Sequence, residues 1–274
     1  GSERSYLKMA RLDPQYQRLN SKEMRRIKLI SSAGVQKGAL STFPQDLCRT
    51  MVLFYTNPGD TIVDPFAGHN SRMEAAVKVG RNYVGQDLSV KFMEHNRKRA
   101  AELKKIFPKT KIELHEGDSR HLKMESNSGD FTITSPPYWD VEDYGNEAGQ
   151  LGKLKGGYEA FLVGLKKVLR ENLRVLKPGC MAVWYINDIR FKKFIPYHYD
   201  VMRLGLEVGF EIWDMQIVDF GRSHRDCFVN QYMKQRIIPK RHEYGVVFRK
   251  PLSEAQLAEI KRQQKLKIAA NKAK

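Results

Sequence analysis

The chain has few cysteines and no long apolar segment, and both absences exclude classes of protein. Its three cysteines, Cys48, Cys180 and Cys227, lack the close spacing of a metal site, so we expect reduced thiols in a cytosolic protein and no bound metal. No apolar run approaches the roughly 20 residues that a membrane helix needs, and no signal-peptide pattern opens the chain. We therefore expect no membrane partner. Repeats and low-complexity segments are also missing, which favours a globular fold.

Acidic residues are scarce relative to basic ones. The 274-residue chain carries 48 Lys and Arg against 31 Asp and Glu, a formal net charge of +17. Each phosphate that a basic protein neutralises releases counterions, so this excess favours a polyanionic partner. The alternative is a basic protein that is only adapted to anionic surfaces. Of the two, a nucleic-acid partner is the interpretation that we prefer.

Short apolar strands alternate with amphipathic helices along most of the chain. Strands are expected at 61–64, 82–87, 111–115, 131–134, 181–186, 211–220 and 244–248. The alternation predicts an α/β fold with a doubly wound, mostly parallel seven-stranded sheet covered on both faces. We divide the chain into a basic N-terminal arm (1–40), a central domain (41–250) and a basic C-terminal helix (251–274). Ser253 and Gln256 have the spacing of a capping box at the start of that helix.

A polar residue stands at the end of each of four successive strands. These residues are Asp64, Asp87, Asp118 and Ser135. A single acid at a strand end is commonplace, but in a doubly wound sheet ligands bind beyond the carboxyl ends of the strands. We therefore expect the four residues to line one cleft.

The fourth strand ends in an unusual way. It runs into Ser135-Pro136-Pro137-Tyr138, where two prolines without backbone donors cannot continue a central strand, and Trp139 follows at once. A rigid turn of this kind holds backbone carbonyls and an aromatic surface in fixed positions. That arrangement suits a flat, amine-bearing group such as a nucleobase. The alternative is a proline-rich turn whose aromatic rings pack into the core.

Asp64-Pro65-Phe66-Ala67-Gly68 and Ser135-Pro136-Pro137-Tyr138 together resemble the motifs of a known family. They are similar to the DNA methyltransferases that modify the exocyclic amine of cytosine (N4) or adenine (N6) with S-adenosylmethionine. The likeness extends to further segments in the same order: Phe43-Pro44, 80–87, Gly117-Asp118, Asp143-Tyr144-Gly145 and His242-Glu243-Tyr244. It implies the Rossmann-like methyltransferase fold with an antiparallel last strand, and it identifies 41–250 as the catalytic domain.

The resemblance assigns a role to each strand end. Asp87 would bind the two ribose hydroxyls, Asp118 the adenine amine, and Asp64 would lie near the cationic sulfonium and ammonium groups. Gly68 would let the backbone approach the cofactor. The residues expected to bind the cofactor are Phe43, Pro44, Asp64, Pro65, Phe66, Ala67, Gly68, His69, Asn70, Asp87, Leu88, Asp118 and Ser119.

One segment departs from the family pattern. The family continues after Gly68 with a second glycine and small hydroxyl residues, whereas this chain has His69-Asn70-Ser71-Arg72. We expect altered contacts, with Asn70 or Ser71 as donors to the cofactor carboxylate. A distorted pocket, a modified cofactor or a chain that has lost activity are the alternatives.

The catalytic residues implied by the resemblance are Ser135, Pro136, Pro137 and Tyr138. The Ser135 side chain and the Pro136 carbonyl would accept hydrogen bonds from the target amine, and Tyr138 would stack on a base flipped out of the duplex. Serine at the first position favours cytosine N4 over adenine N6. An inactive nucleic-acid-binding module or partner subunit and an RNA methyltransferase remain alternatives.

Double-stranded DNA is the expected partner, and the polar segments around 139–157 and 221–241 are the expected contacts. The residues expected to contact nucleic acid, mostly at phosphates, are Trp139, Arg222, Arg225, Lys234, Arg236, Lys240 and Arg241. No separate recognition domain is visible, so we expect relaxed or short-site specificity. The resemblance also implies a cytoplasmic, prokaryotic or phage-encoded setting, while the sequence gives no oligomeric state.

Overall fold

The computed structural model describes residues 43–139, 149–190, 193–219, 229–238 and 240–272. Three parts of the sequence predictions lie outside these residues: the N-terminal arm at 1–40, the Asp143-Tyr144-Gly145 segment, and the expected nucleic-acid contacts Arg222 and Arg225. The predictions made for them therefore stay predictions.

Helices and strands alternate as far as β5, except that β4 follows β3 directly, and two more helices precede the last strands. The elements in chain order are α1 (Gln45–Tyr55), β1 (Thr61–Asp64), α2 (Ser71–Val77), β2 (Asn82–Asp87), α3 (Val90–Ile106), β3 (Ile112–Glu116), β4 (Gly129–Thr134), α4 (Gly157–Val175), β5 (Leu176–Ile186), β6 (Ile189–Arg190), β7 (Phe194–Ile195), α5 (Tyr197–Val208), β8 (Glu211–Asp219), α6 (Val229–Gln235), β9 (His242–Arg249) and α7 (Glu254–Lys272). A single 3₁₀ turn at Leu151–Lys153 precedes α4.

Seven of the strands form one sheet in the order β3-β2-β1-β4-β5-β9-β8. Strands β1 to β5 pair in parallel, and β9 pairs antiparallel with both β5 and β8. The predicted mostly parallel sheet with an antiparallel last strand is confirmed. Chain order reverses between β1 and β4, and such a switch point opens a crevice at the carboxyl ends of the strands.

Each face of the sheet is covered by helices over its own apolar core. One core joins α1 and α2 to the sheet through Leu47, Val52, Met73 and Ala76, and the other joins α4 and α5 to the opposite face. A buried polar chain also ties β4, α4 and β5 together. The Trp184 indole donates to Asn172 Oδ1 (3.0 Å), and Asn172 Nδ2 donates to Thr132 Oγ1 (2.6 Å).

Several details differ from the sequence expectations. Helix α5 and the short β6–β7 hairpin were not predicted, and β5 begins at Leu176, five residues earlier than the predicted 181. The capping box is confirmed, because the Ser253 amide donates to Gln256 Oε1 (2.9 Å) and the Gln256 amide to Ser253 Oγ (3.2 Å). Among the helices described, none is long and apolar enough to cross a membrane.

The packing of α5 on the sheet depends on a glycine. A Cβ at Gly205 would lie well inside contact distance of the Phe248 ring. We expect Gly205→Ala to lower the free energy of unfolding, because overpacking costs about 1–3 kcal/mol while alanine gains only roughly 1 kcal/mol of helix propensity. Urea denaturation measures the change.

Two further variants test that interpretation. Leu206→Ala, at a half-exposed position next to Gly205, should change stability far less. Adding Phe248→Leu to Gly205→Ala should restore part of the loss. A Gly205→Ala protein as stable as the native chain would contradict the proposed packing constraint.

Candidate active site

Hydrogen bonds tie the carboxyl ends of the first four strands together. The Thr134 hydroxyl at the end of β4 donates to Asp64 at the end of β1 (2.8 Å). The Gly68 amide, in the loop after β1, donates to Asp87 at the end of β2 (2.8 Å). The Ser119 hydroxyl, after β3, donates to the carbonyl of Pro65, the first residue of the loop after β1. The polar strand ends therefore share one edge of the sheet.

Asp64 is the centre of this arrangement. It is fully buried, and it accepts hydrogen bonds from Arg72 Nε (2.6 Å), the Tyr83 hydroxyl (2.8 Å), the Thr134 hydroxyl (2.8 Å) and the Phe66 amide (3.3 Å). A carboxylate has about four lone-pair positions, so these donors occupy its accepting capacity. The expectation that Asp64 lies near the cofactor's cationic groups stays a prediction. In the structure its carboxylate is enclosed by these four protein donors.

Arg72 reaches beyond Asp64 to the loop between β1 and α2 (65–70). Its Nη2 donates to the carbonyls of Phe66 and, at 3.4 Å, of Ala67, and its guanidinium lies 5.1 Å from the centroid of the Phe43 ring. Burial alone would lower the pKa of Arg72, but the neighbouring Asp64 carboxylate raises it above its ordinary value. Arg72 is thus a fixed cation beneath the loop.

The residues between Gly68 and Arg72 pack against neighbouring helices. The His69 ring lies 4.8 Å from the Phe92 ring. The pKa of His69 is lowered, mainly by burial and to a lesser extent by nearby basic side chains. Asn70 occupies the N-cap position of α2 without a side-chain cap bond. This segment, which departs from the resemblance, therefore has a definite packed conformation.

Asp87 keeps accepting capacity toward the crevice. Its two carboxylate oxygens receive the Gly68 amide (2.8 Å) and the Ser89 amide (2.9 Å). Burial raises the pKa of Asp87, and these two amides oppose that rise. Because a carboxylate accepts about four bonds, Asp87 retains positions for further donors. Gly68 has φ +48°, a left-handed conformation that favours glycine.

Asp118 already has a strong partner. Arg120 contacts both of its carboxylate oxygens through its guanidinium and also donates its backbone amide (2.9 Å). Burial would raise the pKa of Asp118, but the bonds to Arg120 outweigh it and hold the pKa below its ordinary value. Gly149 lies close to the Asp118 carboxylate and to the Leu88 side chain. An adenine amine would have to share Asp118 with Arg120.

The tetrapeptide is held by residues far away in sequence. The Pro137 carbonyl accepts the Tyr197 hydroxyl (3.1 Å), and the Tyr138 hydroxyl lies 3.4 Å from Glu243 Oε1. Within the described residues, neither the Ser135 hydroxyl nor the Pro136 carbonyl has a hydrogen-bond partner. These are the two acceptors that the resemblance assigns to the target amine.

The remaining expected cofactor and loop residues surround this edge. Phe43 lies edge-on to Tyr185 at 5.2 Å, and the Pro44 carbonyl caps the start of α1. Phe66 lies edge-on to Trp184 at 6.0 Å. Trp139 has φ +42° and packs edge-on against Tyr158 at 5.4 Å.

The basic residues expected to contact phosphates differ in their surroundings. Lys234, Arg236 and Arg241 are exposed. Lys240 Nζ instead donates to Asn187 Oδ1 (2.8 Å) and to a backbone carbonyl of the segment after β5 (2.6 Å). Two of the three ammonium hydrogens are therefore used inside the protein, so Lys240 anchors that segment.

Comparison with known proteins identifies the family. The DNA methylase family of the N6/N4 type matches residues 15–98 and 130–274, more than half of the chain. The chain belongs to this family. Its resemblance to amino-methyltransferases, drawn from the motifs, is thereby confirmed.

Individual relatives share only parts of this chain. The type II methyltransferase M.MjaI of Methanocaldococcus jannaschii is 31% identical over 48 residues, which cover 18% of this chain and 16% of the relative. M.SfiI of Streptomyces fimbriatus is 38% identical over 84 residues, which cover 30% of this chain and 20% of the relative. The matched part thus spans a fifth or less of these relatives.

The chain is also similar to several solved structures. TTHA0409 of Thermus thermophilus, in complex with S-adenosyl-L-methionine, is 31% identical over 50% of this chain and 54% of its own, with a TM-score of 0.38. The [4+2]-cyclase SpnF has a TM-score of 0.53 at 16% identity, covering 80% of this chain and 86% of its own. TrmN from Thermus thermophilus has a TM-score of 0.51 at 17% identity, covering 76% of this chain and 49% of its own. At such identities SpnF and TrmN share the fold alone.

The sequence analysis missed some residues of the candidate site. Arg72 was treated only as part of a departure, and Tyr197 was not singled out because α5 was not predicted. Apolar residues at 197, 201, 204 and 208 have helical spacing after Pro196, and this was the available signal. The pairing of His198 with Asp188 (2.5 Å) had no sequence signal.

The buried Asp64–Arg72 pair should dominate the stability of this edge. Asp64→Asn leaves the Arg72 guanidinium as an uncompensated buried cation, so we expect a loss of about 3–5 kcal/mol in the free energy of unfolding. Urea denaturation followed by circular dichroism measures it. A loss below the error of the measurement would contradict the central role of the pair.

Two controls accompany that measurement. Glu259→Gln breaks the exposed Arg262–Glu259 pair (2.8 Å) and should leave the unfolding curve unchanged. Adding Arg72→Met to Asp64→Asn removes the unpaired cation and should recover part of the lost stability.

Proposed function

We propose that the chain transfers a methyl group from S-adenosylmethionine to the exocyclic amine of a base in DNA. The observation that carries the proposal is the Thr134–Asp64 hydrogen bond (2.8 Å). It fixes the start of Ser135-Pro136-Pro137-Tyr138 beside the loop that follows β1, at the switch point of a sheet in the N6/N4 DNA methylase family. The resemblance assigns cofactor binding to that loop and catalysis to the tetrapeptide.

The donor and acceptor set fits this cofactor. Asp87 retains accepting capacity for ribose hydroxyls, and Gly68 brings the backbone close without a side chain. Phe43 and Pro44 would bound the methionine end, and Leu88 and Ser119 the adenosine end. Bound S-adenosylmethionine supplies an electrophilic methyl group on a cationic sulfur. Asp64, being enclosed, supports the loop through Arg72 rather than contacting the ligand.

Ser135 and Pro136 would activate the amine. The nitrogen lone pair of an exocyclic amine is delocalised into the ring, which makes it a poor nucleophile. The Ser135 hydroxyl and the Pro136 carbonyl can each accept one of its hydrogens, which favours tetrahedral nitrogen with its lone pair directed away from the ring. Positioning and fixed dipoles would lower the barrier. As the nitrogen gains the methyl group, the carbon–sulfur bond would break to leave a neutral thioether, and the nitrogen would release one proton to solvent.

Tyr138 would hold the base outside the duplex. Extruding a base costs a few kcal/mol, and stacking on an aromatic ring returns about 1–3 kcal/mol. The Tyr138 ring is half-buried, lies three residues after Ser135 and is edge-on to Tyr197. Exposed Lys234, Arg236 and Arg241 would attract the phosphate backbone without reading bases, which accords with relaxed or short-site specificity. Cytosine N4 is the preferred target because the first tetrapeptide residue is serine.

The direct test identifies the methylated nucleoside. Protein, DNA and labelled S-adenosylmethionine are incubated, the DNA is digested, and the product is separated; we expect N4-methylcytosine. Ser135→Ala and Tyr138→Ala should each reduce the methylation rate at least tenfold, because an amine acceptor or the stacking ring is lost. Ser253→Ala and Tyr199→Ala, at positions away from the cleft, serve as matched controls.

The outcomes of this test separate the alternatives. N6-methyladenine as product would overturn the cytosine assignment, and faster labelling of RNA than DNA would overturn DNA as the substrate. Unchanged rates in both Ser135→Ala and Tyr138→Ala would refute the catalytic assignment itself.

A second candidate function, a methylase fold that no longer binds cofactor, is motivated by the Asp118–Arg120 ion pair. Calorimetric titration with S-adenosylmethionine distinguishes the two candidates. We expect binding by the native chain and at least a tenfold weaker affinity in Asp87→Ala, since the ribose acceptor is lost. Asp60→Ala is the matched control, because Asp60 likewise accepts a backbone amide (Asn57, 2.7 Å) but precedes β1 at the opposite end of the strand. No heat with the native chain would favour the binding module.

A further inference from the structure

The buried hydroxyl of Tyr197 bonds to the backbone of the tetrapeptide Ser135-Pro136-Pro137-Tyr138. Tyr197 is the first residue of α5, and its side chain is fully buried. Its hydroxyl donates to the carbonyl of Pro137 (3.1 Å), while its ring packs against Phe161 (5.7 Å) and lies edge-on to Tyr138 (6.2 Å). One side chain thus contacts two residues of the tetrapeptide, 60 residues away from Pro137 in sequence.

A second contact reaches the loop from the last strand. Glu243 lies at the start of β9, and its Oε1 lies 3.4 Å from the Tyr138 hydroxyl. The adjacent Tyr244 ring stacks on His198 at 4.0 Å, which links this end of β9 to α5. Tyr197 and Glu243 therefore contact adjacent residues of the tetrapeptide: Tyr197 bonds to the Pro137 carbonyl, and Glu243 lies at the Tyr138 hydroxyl.

The backbone after the tetrapeptide shows that support is needed. Trp139 has φ +42°, a left-handed conformation that a bulky residue rarely adopts. Such a conformation persists only where surrounding contacts over-determine it. Pro136 and Pro137 restrict the chain just before it, and the Tyr197 and Glu243 contacts act on two residues there, Pro137 and Tyr138.

We infer that Tyr197 and Glu243 are positioning residues for methyl transfer. They hold the Pro137 carbonyl and the Tyr138 ring so that the Pro136 carbonyl and the Ser135 hydroxyl stay directed at the target amine. Neither residue touches the amine. The inference rests on the proposed function for its kinetic part, and on the geometry alone for its structural part.

Tyr197→Phe tests the hydroxyl while keeping the ring. A net neutral hydrogen bond corresponds to about three- to tenfold in rate, so the single-turnover methylation rate should fall by that factor. The apparent affinities for DNA and S-adenosylmethionine should stay within twofold. Tyr55→Phe is the matched control, because it loses a hydroxyl bonded to Gln216 (3.3 Å) on the other face of the sheet. An equal loss in both variants would assign Tyr197 a merely structural role and overturn the inference.

Glu243 is tested by a pair of substitutions. Glu243→Gln keeps an oxygen that can accept the Tyr138 hydroxyl, so its rate should stay close to native, whereas Glu243→Ala should lose about as much as Tyr197→Phe. Combining Glu243→Ala with Tyr138→Ala should add no further loss, because the partner is already gone. Fully additive losses would contradict a role through Tyr138.

Hydrogen exchange gives a readout that does not need activity. The amides of Tyr138 and Trp139 should exchange faster in Tyr197→Phe than in the native chain, while Tyr55→Phe should leave them unchanged. Unchanged exchange in Tyr197→Phe would overturn the inference even if the native chain methylates DNA. An inactive native chain with accelerated exchange in Tyr197→Phe would refute the proposed function and leave the support of the loop established.

Discussion

A single buried carboxylate determines how the two halves of the sheet meet. Asp64 at the end of β1 receives Arg72 from α2, Tyr83 from β2 and Thr134 from β4. Removing a carboxylate from water costs several kcal/mol unless charge and hydrogen bonds compensate it, so the arrangement is favourable only when all of these elements are in place. Because β1 lies between β2 and β4 in the sheet, the constraint acts on both sides of the switch point.

The same constraint explains the departure from the family pattern after Gly68. Where the family pattern has small residues, this chain has Arg72, which bonds to Asp64 and to the carbonyls of Phe66 and Ala67. The loop is therefore held by a cation under it as well as by Asp87 in front of it. The altered segment is in this way a different means of fixing the same loop, and it gives no physical reason to expect a collapsed pocket.

The sequence predicted what depends on neighbouring residues and missed what depends on distant ones. Most strand bounds and the Ser253–Gln256 capping box follow from local patterns and were close to the structure, whereas the antiparallel last strand was implied by the family resemblance. Asp64 and Asp87 look equivalent in the sequence, since each ends a strand. Their different burial arises from partners such as Thr134, 70 residues away, which no local pattern reveals. Lys240 was assigned to phosphates for the same reason, although its bonds lie with the segment after β5.

The pairing of Asp64 and Asp118 with arginines also affects how a polyanion could approach the carboxyl ends of the strands, where these acids lie. Asp64 is neutralised by Arg72, and Asp118 by Arg120, each within the protein. Unpaired carboxylates at this edge would repel phosphates across a Debye length of about 8 Å, but paired ones contribute little field beyond their own contacts. With Asp64 and Asp118 neutralised, less charge at this edge would oppose the attraction of a nucleic acid by the net charge of +17. Internal ion pairs would therefore let the edge that carries Asp87 for a cofactor also admit a phosphate backbone.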